Sequence, residues 1–228
     1  MSDLVDLWPV LVSCRQIDSI DRQLGKALGL DPEKHRSVGL LTCDQDDALY
    51  VALDHCTKFA DVDVVFGQSM YAGSKHASGP FSGEILGIVA AATPSDVESA
   101  LVALREHLSR VVRFQTFPGD HQPAFLAHVI SETGSYLAPQ AGLRRGAPMA
   151  YLIAPPIEAV LAVDAALKAA RVELGKWIPP PSETNFAGAF LKGELPELEA
   201  ARDAFVAAVR DLAQRPLASA RRPDHERR

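Results

Sequence analysis

The sequence lacks the markers of a membrane or exported protein. It has no uninterrupted apolar stretch near the ~18 residues that a membrane-spanning helix needs. Its first residues include the acids Asp3 and Asp6, where an export signal carries basic residues. We therefore expect a cytoplasmic protein with no membrane partner.

Cysteine and basic residues are also scarce. The three cysteines, Cys14, Cys43 and Cys56, do not have metal-ligand spacing, so we expect reduced, packed thiols. Lys and Arg number 23 against 29 Asp and Glu, which gives a net charge of −6. Nucleic-acid phosphates require a basic face, so a nucleic-acid partner is not expected.

Catalytic motifs are missing as well. The seven histidines include no His-x-x-x-His or His-Glu-x-x-His pair, and the sequence has neither a nucleophile elbow nor a glycine-rich phosphate loop. His128 lies in an apolar stretch that predicts a strand, which is typical of a core histidine. A metal-dependent enzyme is therefore the weakest alternative, and we expect no cofactor and no metal.

The most informative feature that is present is an internal repeat. A shift of 110 positions aligns a stretch of the first half with the second half. The identical pairs are Ala52 and Ala162, Asp54 and Asp164, Lys58 and Lys168, Ala60 and Ala170, and Val62 and Val172. A repeat of this length indicates tandem domains rather than solenoid units. The Asp-x-x-x-Lys spacing allows an i,i+4 ion pair in each copy.

The pattern of apolar residues predicts the same order of elements in both halves. In the first half it predicts helices at 18–30, 54–60 and 96–108, the last capped by Ser95 or Asp96, and strands at 38–43, 62–66 and 84–91. In the second half it predicts strands at 124–130, 150–154, 172–177 and 188–192, and helices at 156–170 and 196–213.

The second copy of the repeat, residues 162–174, resembles the signature of bacterial microcompartment (BMC) shell proteins. Longer strings between Leu7 and Pro216 resemble the ethanolamine-utilisation branch of this family. These strings are 71–73, 83–86, 125–129, 133–137, 148–152, 154–156 and 179–185. The simplest shell proteins begin near the strand that here starts at Val38 or Ala150, whereas residues 1–36 and 114–146 precede these strands. This order is that of a circularly permuted domain.

The resemblance implies an α/β fold of the α+β sandwich type, with two tandem circularly permuted BMC domains. We place the first domain at 1–113 and the second at 114–216, followed by a charged tail at 217–228 that we expect to be disordered. It also implies a homotrimer that forms a pseudohexameric tile with a central pore and joins other shell proteins. The alternative is a free trimeric signalling protein that binds a small ligand. Tiling needs a lysine at the tile rim, and Lys58 and Lys168 are the candidates, although each could serve only its own helix.

Two segments match pore-forming loops of the family. The first includes Phe114, Gln115, Thr116 and Phe117; the second includes Glu183, Thr184, Asn185 and Phe186. Glycine and proline at the ends of these segments suit hinges, and phenyl rings can close a hole by packing across a three-fold axis. The alternative is that these are ordinary loops whose rings fill the core. The family tends to have Trp near Thr116 or Phe117, and this chain does not.

The resemblance also implies a site for a small amine such as ethanolamine, formed by Asp46, Asp47, Glu84, Phe114 and Thr184. An ammonium group needs acceptors for its N–H donors, and an aromatic face adds about 0.5–2 kcal/mol. We expect bound amine to favour the closed pore, because Phe114 belongs to both predicted sites. The alternative is that the acidic cluster at 44–47 is only a solvated turn.

Overall fold

The computed structural model describes residues 4–69, 85–119, 122–180 and 186–217. The first half of the chain contains, in order, β1 (Val5–Leu7), β2 (Leu11–Ile17), α1 (Arg22–Ala27), β3 (Ser37–Cys43), α2 (Asp46–Cys56), β4 (Asp63–Ser69), β5 (Ile85–Ala91) and α3 (Pro94–Arg110). Four of these strands form an antiparallel sheet in the order β2-β3-β5-β4. Helices α2 and α3 pack side by side against this sheet.

The second half repeats this arrangement. It contains β6 (Phe114–Thr116), β7 (Leu126–Ile130), α4 (Leu137–Gln140), β8 (Met149–Ala154), α5 (Pro156–Ala169), β9 (Glu173–Ile178), β10 (Ala187–Lys192) and α6 (Leu195–Gln214). Its antiparallel sheet has the order β7-β8-β10-β9, the same order as in the first half. The repeat in the sequence is therefore a repeat in three dimensions. We keep the predicted boundary at Phe114 and call the two halves unit 1 and unit 2.

A short ribbon links the ends of unit 1. Strand β1 pairs antiparallel with β6, so that Val5 lies opposite Thr116 and Leu7 lies opposite Phe114. Sequence patterns predict neither strand, because each has only three residues. Phe114, Gln115 and Thr116, which are predicted to belong to a loop, therefore form a strand. Strand β2 was also not predicted, because Ser13, Arg15 and Gln16 interrupt its apolar pattern.

Helix α2 differs most from its prediction. The helix predicted at 54–60 begins at Asp46 and ends at Cys56. Two acids in the first turn stabilise the start of the helix through its dipole. Asp46 and Asp47 are therefore part of a helix and are buried, and the alternative of a solvated acidic turn is wrong for them.

The predicted cap of α3 is also wrong. Thr93 is the N-cap, and its hydroxyl accepts a hydrogen bond from the backbone N–H of Asp96 at 3.2 Å. Pro94 occupies the first helical position, where a missing N–H costs nothing. Helix α1, predicted at 18–30, is confined to six residues. The sequence pattern does not predict the four-residue helix α4. The remaining helices and strands agree with their predicted positions to within a few residues, and the predicted tail at 217–228 lies outside the described residues beyond Leu217.

Helix α2 lies between the two sheets. One side of it covers the sheet of unit 1, and the other side shares a core with Met149, Tyr151 and Ile153 of β8 in unit 2. The alternate residues of β8, such as Leu152, face a second core under α5 and α6. The central strand β8 is thus buried on both faces, and α2 covers one of them.

A buried carboxylate fixes the contact between the units. Asp54 of α2 is fully buried and accepts hydrogen bonds from the backbone N–H groups of Gly134, Tyr136 and Leu137 at 2.6, 3.2 and 2.7 Å. The space is tight, since a Cβ on Gly134 would lie 2.2 Å from the carbonyl oxygen of Asp54. We call this set of three hydrogen bonds the Asp54 clamp.

The two Asp-x-x-x-Lys copies therefore behave differently. Asp164 and Lys168 on α5 form the expected i,i+4 ion pair at 2.6 Å. Lys58 instead donates to the backbone carbonyl of Glu132 in unit 2 at 2.8 Å, while Asp54 forms the clamp. The prediction of a pair within each helix is thus correct for α5 and wrong for α2.

We expect Asp54→Ala to lower the free energy of unfolding by about 3 kcal/mol or more, because three buried N–H groups lose a charged acceptor. The matched change Asp164→Ala removes only an exposed ion pair and should cost less than about 0.5 kcal/mol. Urea unfolding at equal protein concentration measures both values. Equal losses in the two variants would show that the clamp does not stabilise the fold.

Candidate functional site

The predicted acidic residues Asp46 and Asp47 lie at the start of α2, where α2 meets unit 2. Only 7% and 6% of their surfaces are exposed. Asp46 accepts a hydrogen bond from the backbone N–H of Asp47 at 2.8 Å, and Asp47 accepts one from the hydroxyl of Tyr151. A buried carboxylate is costly unless such donors surround it. The two acids are therefore held in place from both units.

A cleft of about 400 Å³ opens beside these acids, between α2 and the sheet of unit 2. Besides the two carboxylates, its lining includes Tyr50, Tyr136, Tyr151, Phe190 and Lys176. Burial, followed by the nearby charge of Asp47, raises the pKa of Tyr151 well above its usual value. Tyr151 therefore stays protonated and donates to Asp47.

The cleft has the chemistry of a site for a small cation. Two carboxylates supply acceptors for N–H donors, and aromatic side chains supply faces that attract positive charge. Lys176 already uses one of these faces, since its ammonium nitrogen lies 5.5 Å from the centre of the Phe190 ring. A ligand ammonium would therefore bind at the acidic end of the cleft, away from Lys176.

Phe114 is connected to this site through Gln45. Its ring is buried in the core that surrounds α2, and it is not part of the lining of the cleft. Its backbone N–H donates to the side-chain oxygen of Gln45 at 3.4 Å, and Gln45 directly precedes Asp46. The other two predicted ligand residues, Glu84 and Thr184, lie outside the described residues.

The two predicted pore segments meet at one aromatic contact. The rings of Phe114 and Phe186 have their centres 5.6 Å apart. Gln115 donates to the carboxylate of Asp6 at 2.8 Å, and the hydroxyl of Thr116 donates to the carbonyl of Pro123 at 3.1 Å. The segment from Phe114 to Thr116 is therefore anchored at several points.

Phe117 is buried in the core of unit 2. Its ring centre lies 5.3 Å from that of Phe125, and the guanidinium of Arg210 lies 4.9 Å above it. Phe114 and Phe117 can thus line an opening only after leaving their cores. The predicted pore residues Glu183, Thr184 and Asn185 lie outside the described residues.

Three tyrosines of the cleft were not predicted as site residues. Tyr50 lies one helical turn after Asp46 on α2, and this spacing could have indicated it. Tyr151 interrupts an otherwise aliphatic strand with a polar group, which is a second signal. Nothing in the sequence pattern indicates Tyr136, because its position depends on how unit 2 packs on α2.

Three histidines from three elements stack beside the Asp54 clamp. The rings of His55 and His107 have centres 3.9 Å apart, and the ring of His128 meets that of His107 edge-on at 6.2 Å. Burial and the charge of Lys58 lower the pKa of His55 to about 4. Burial and the two neighbouring rings lower the pKa of His107 to about 3, and burial with the charge of Arg113 lowers that of His128 to about 4.

Neither a metal site nor a membrane span is found in the part of the chain that the structure describes. Across residues 4–69, 85–119, 122–180 and 186–217, no three His, Cys, Asp or Glu side chains are placed to hold a metal ion. None of the helices in these ranges is long and apolar enough to cross a membrane.

The duplicated sheet-and-helix unit defines the chain as a protein of the tandem BMC shell class. No protein-family model matches it. It is, however, 46% identical over 209 residues to the bacterial microcompartment shell protein EutL of Clostridium perfringens. This alignment covers 92% of this chain and 96% of that protein. EutL of Escherichia coli K12 is 44% identical and covers 92% of this chain and 95% of that protein. The chain therefore belongs to the EutL family of bacterial microcompartment shell proteins.

Solved structures agree with this assignment. The crystal structure of EutL from Clostridium perfringens superposes with a TM-score of 0.90 at 44% identity and covers 96% of this chain and 98% of that chain. The crystal structure of EutL from Leptotrichia buccalis has the same TM-score and identity, and the superposition covers 96% of this chain and 100% of that chain. The trimeric shell protein PduB, at 17% identity and a TM-score of 0.73, shares the fold alone. As a member of this family the chain is a structural shell component and not an enzyme.

The histidine stack makes stability depend on pH. The three rings have pKa values below the ~6.5 of histidine in an unfolded chain, so the unfolded state binds more protons below that pH. The free energy of unfolding should be highest above pH 6.5 and fall as the pH decreases towards 4. We expect a loss of about 2 kcal/mol or more at pH 5. Urea unfolding of wild type and His128→Gln over this pH range measures the loss in the free energy of unfolding. An equal loss in both proteins would exclude His128 as a cause.

Proposed function

We propose that the chain forms a homotrimeric, pseudohexameric tile of a microcompartment shell of the ethanolamine-utilisation type. In this proposal the tile joins other shell proteins in the cytoplasm, and a pore at its three-fold axis lets metabolites pass. A small amine such as ethanolamine binds beside Asp46 and Asp47 and regulates the pore. The observation that carries the proposed amine site is the buried pair of carboxylates in an aromatic cleft between the two units.

The form of the cleft supports an ammonium ligand over an anion. Protonated ethanolamine has three N–H donors and a hydroxyl, and the acidic end of the cleft presents carboxylate oxygens with Tyr50 and Tyr151 nearby. We propose that Glu84 and Thr184 complete the site. Phe114 acts on the ligand through Gln45, because Gln45 connects its backbone to the start of α2.

The same connection offers a route from ligand to pore. The side chain of Gln45 accepts from Phe114 at 3.4 Å and donates to the carbonyl of Leu7 at 2.9 Å, so it holds both strands of the β1–β6 ribbon. An amine that fixes the start of α2 would also fix this ribbon and the contact between Phe114 and Phe186. A ligand shifts the equilibrium between the open and the closed pore only if it binds one of these two states more tightly than the other. We therefore propose that bound amine favours the closed pore.

The pore itself would be lined by the second segment. Phe114 and Phe117 are buried in cores, and exposing a phenyl ring costs on the order of 1.5–3 kcal/mol. Phe186 is only partly buried and continues from Glu183, Thr184 and Asn185. We propose that Glu183, Thr184, Asn185 and Phe186 line the pore, and that Phe114, Gln115, Thr116 and Phe117 form its frame. A three-fold axis would repeat each of these residues three times around the opening.

Ethanolamine should bind to wild-type protein in calorimetry. Asp46→Asn and Glu84→Gln should each weaken binding tenfold or more, because each removes a charged acceptor from a partly desolvated pocket. Asp61→Asn is the matched control, since Asp61 is exposed beyond the opposite end of α2. Equal affinities in Asp46→Asn and wild type, or no binding at millimolar ethanolamine, would contradict the proposed site.

Light scattering should report three chain masses in solution, and sheets should form at higher concentration. Lys168 is the better rim candidate, because its side chain is exposed whereas Lys58 bonds to Glu132 of its own chain. Lys168→Glu should therefore reduce sheet formation and leave the trimer intact. A stable monomer or dimer in wild type would contradict the proposed tile.

A further inference from the structure

A second cleft, of about 800 Å³, lies where the segment that follows α3 meets β7 and α6. It shares no lining residue with the cleft beside Asp46 and Asp47. Strand β7 is the outer strand of its sheet, and a single bridge joins the residue before it, Phe125, to Gln115 of β6. Because the chain pairs at only this one place, a gap remains beside β7. Residues of both units line this gap, which we call the arginine cleft.

Three arginines line the arginine cleft, namely Arg113, Arg202 and Arg210. Arg202 and Arg210 lie on one side of α6, and Val206 lies between them at one helical turn from each. Arg113 faces them from the segment between α3 and β6. The lining also contains the carboxylate of Asp203. In a chain with a net charge of −6, this cleft is a local concentration of positive charge.

Carboxylates engage two of the three arginines without using all of their donors. The Nε atom of Arg113 lies 2.7 Å from the carboxylate of Asp6, although the two are not aligned as a hydrogen bond. Arg202 donates to one oxygen of Asp203 from two nitrogens, at 2.8 and 2.9 Å. A guanidinium has five N–H donors, so both arginines keep donors for a further acceptor.

Arg210 is held in place by a ring and not by a carboxylate. Its guanidinium lies 4.9 Å above the centre of the Phe117 ring. In the described part of the chain it forms neither an ion pair nor a hydrogen bond. Stacking on a ring fixes the plane of a guanidinium and leaves its N–H donors unused. Arg210 therefore presents a positioned fork of donors to the cleft.

The rest of the wall carries little charge. Its aliphatic residues are Leu4, Val111, Ala127, Val129, Val206 and Ala207. His128 also lines the cleft, and burial followed by the charge of Arg113 lowers its pKa to about 4. The imidazole is therefore neutral at pH 7. The cleft thus combines an end rich in guanidinium groups with an aliphatic wall.

We propose that the arginine cleft binds an organic oxyanion. Its phosphate or carboxylate head is held by Arg210 together with the unused donors of Arg113 and Arg202, and its apolar part lies on the aliphatic wall. Guanidinium forks match the oxygens of such heads and donate two hydrogen bonds at once. An amine is not suited to this cleft, because Arg202 already engages the carboxylate of Asp203. The site is opposite in charge to the proposed amine site and does not depend on it.

Calorimetry with butyl phosphate and full-length protein tests the proposal. Wild type should bind at millimolar ligand, and inorganic phosphate should bind about tenfold more weakly, because it cannot use the aliphatic wall. Arg210→Gln should weaken binding of butyl phosphate tenfold or more. Arg210→Lys keeps the charge and loses the fork, so its affinity should lie between the two. Arg215→Gln is the matched control, since Arg215 directly follows α6, lies outside the lining and pairs with Asp211.

Two further ligands distinguish the kind of head and the sign of its charge. Pentanoate has a chain of similar length with a carboxylate head, and the tighter of the two anions identifies the head that the cleft prefers. Butylamine should not compete with butyl phosphate. Thermal unfolding checks that each variant folds.

The proposal fails if neither anion binds to wild type at millimolar concentration, or if Arg210→Gln and wild type bind butyl phosphate equally. In either case the three arginines serve only to hold the chain together. Competition by butylamine would also overturn the proposal. Asp46→Asn should leave the affinity for butyl phosphate unchanged, and a loss there would place the anion in the other cleft. Failure of the amine site therefore leaves this result unaffected.

Discussion

The buried carboxylate of Asp54 is the constraint on which the arrangement of the two units depends. A fully buried Asp is unfavourable unless several donors surround it, and here the donors are three backbone N–H groups of unit 2. Backbone donors have fixed positions, so they allow one docking of α2 on unit 2. The glycine at position 134 permits the close approach that this docking needs.

The candidate ligand site follows from that docking. Once the C-terminal half of α2 is fixed by Asp54, its N-terminal end must lie against β8 and β10 of unit 2. Asp46 and Asp47 are then buried opposite Tyr151, and the cleft forms between them and Phe190. The site is therefore a property of the contact between the units, and neither unit contains it alone. A ligand bound there would sense any change in how the units pack.

Duplication explains why the two halves share a fold and differ in chemistry. Both sheets have the same strand order, which depends on apolar patterns that tolerate many substitutions. The corresponding faces of α2 and α5 have diverged, since α2 has buried acids and a tyrosine where α5 has exposed aliphatic residues. The histidine stack lies beside the contact of α2 with unit 2, and unit 2 has Ala165 at the position that corresponds to His55.

The sequence by itself determined the repeat, the fold class, most helices and strands, and the resemblance to microcompartment shell proteins. These features depend on local apolar patterns and on strings of neighbouring residues, which are visible without a structure. The sequence did not determine the start of α2, the short strands β1 and β6, or the cap of α3. At these places several residues could act as a cap, or the apolar pattern is too short to predict an element. Only the tertiary structure decided that Asp54 bonds to unit 2 while Asp164 pairs with its own Lys168. The same Asp-x-x-x-Lys pattern occurs in both, and the difference arises because the donors around Asp54 lie about 80 residues away in the chain and are brought to it by packing.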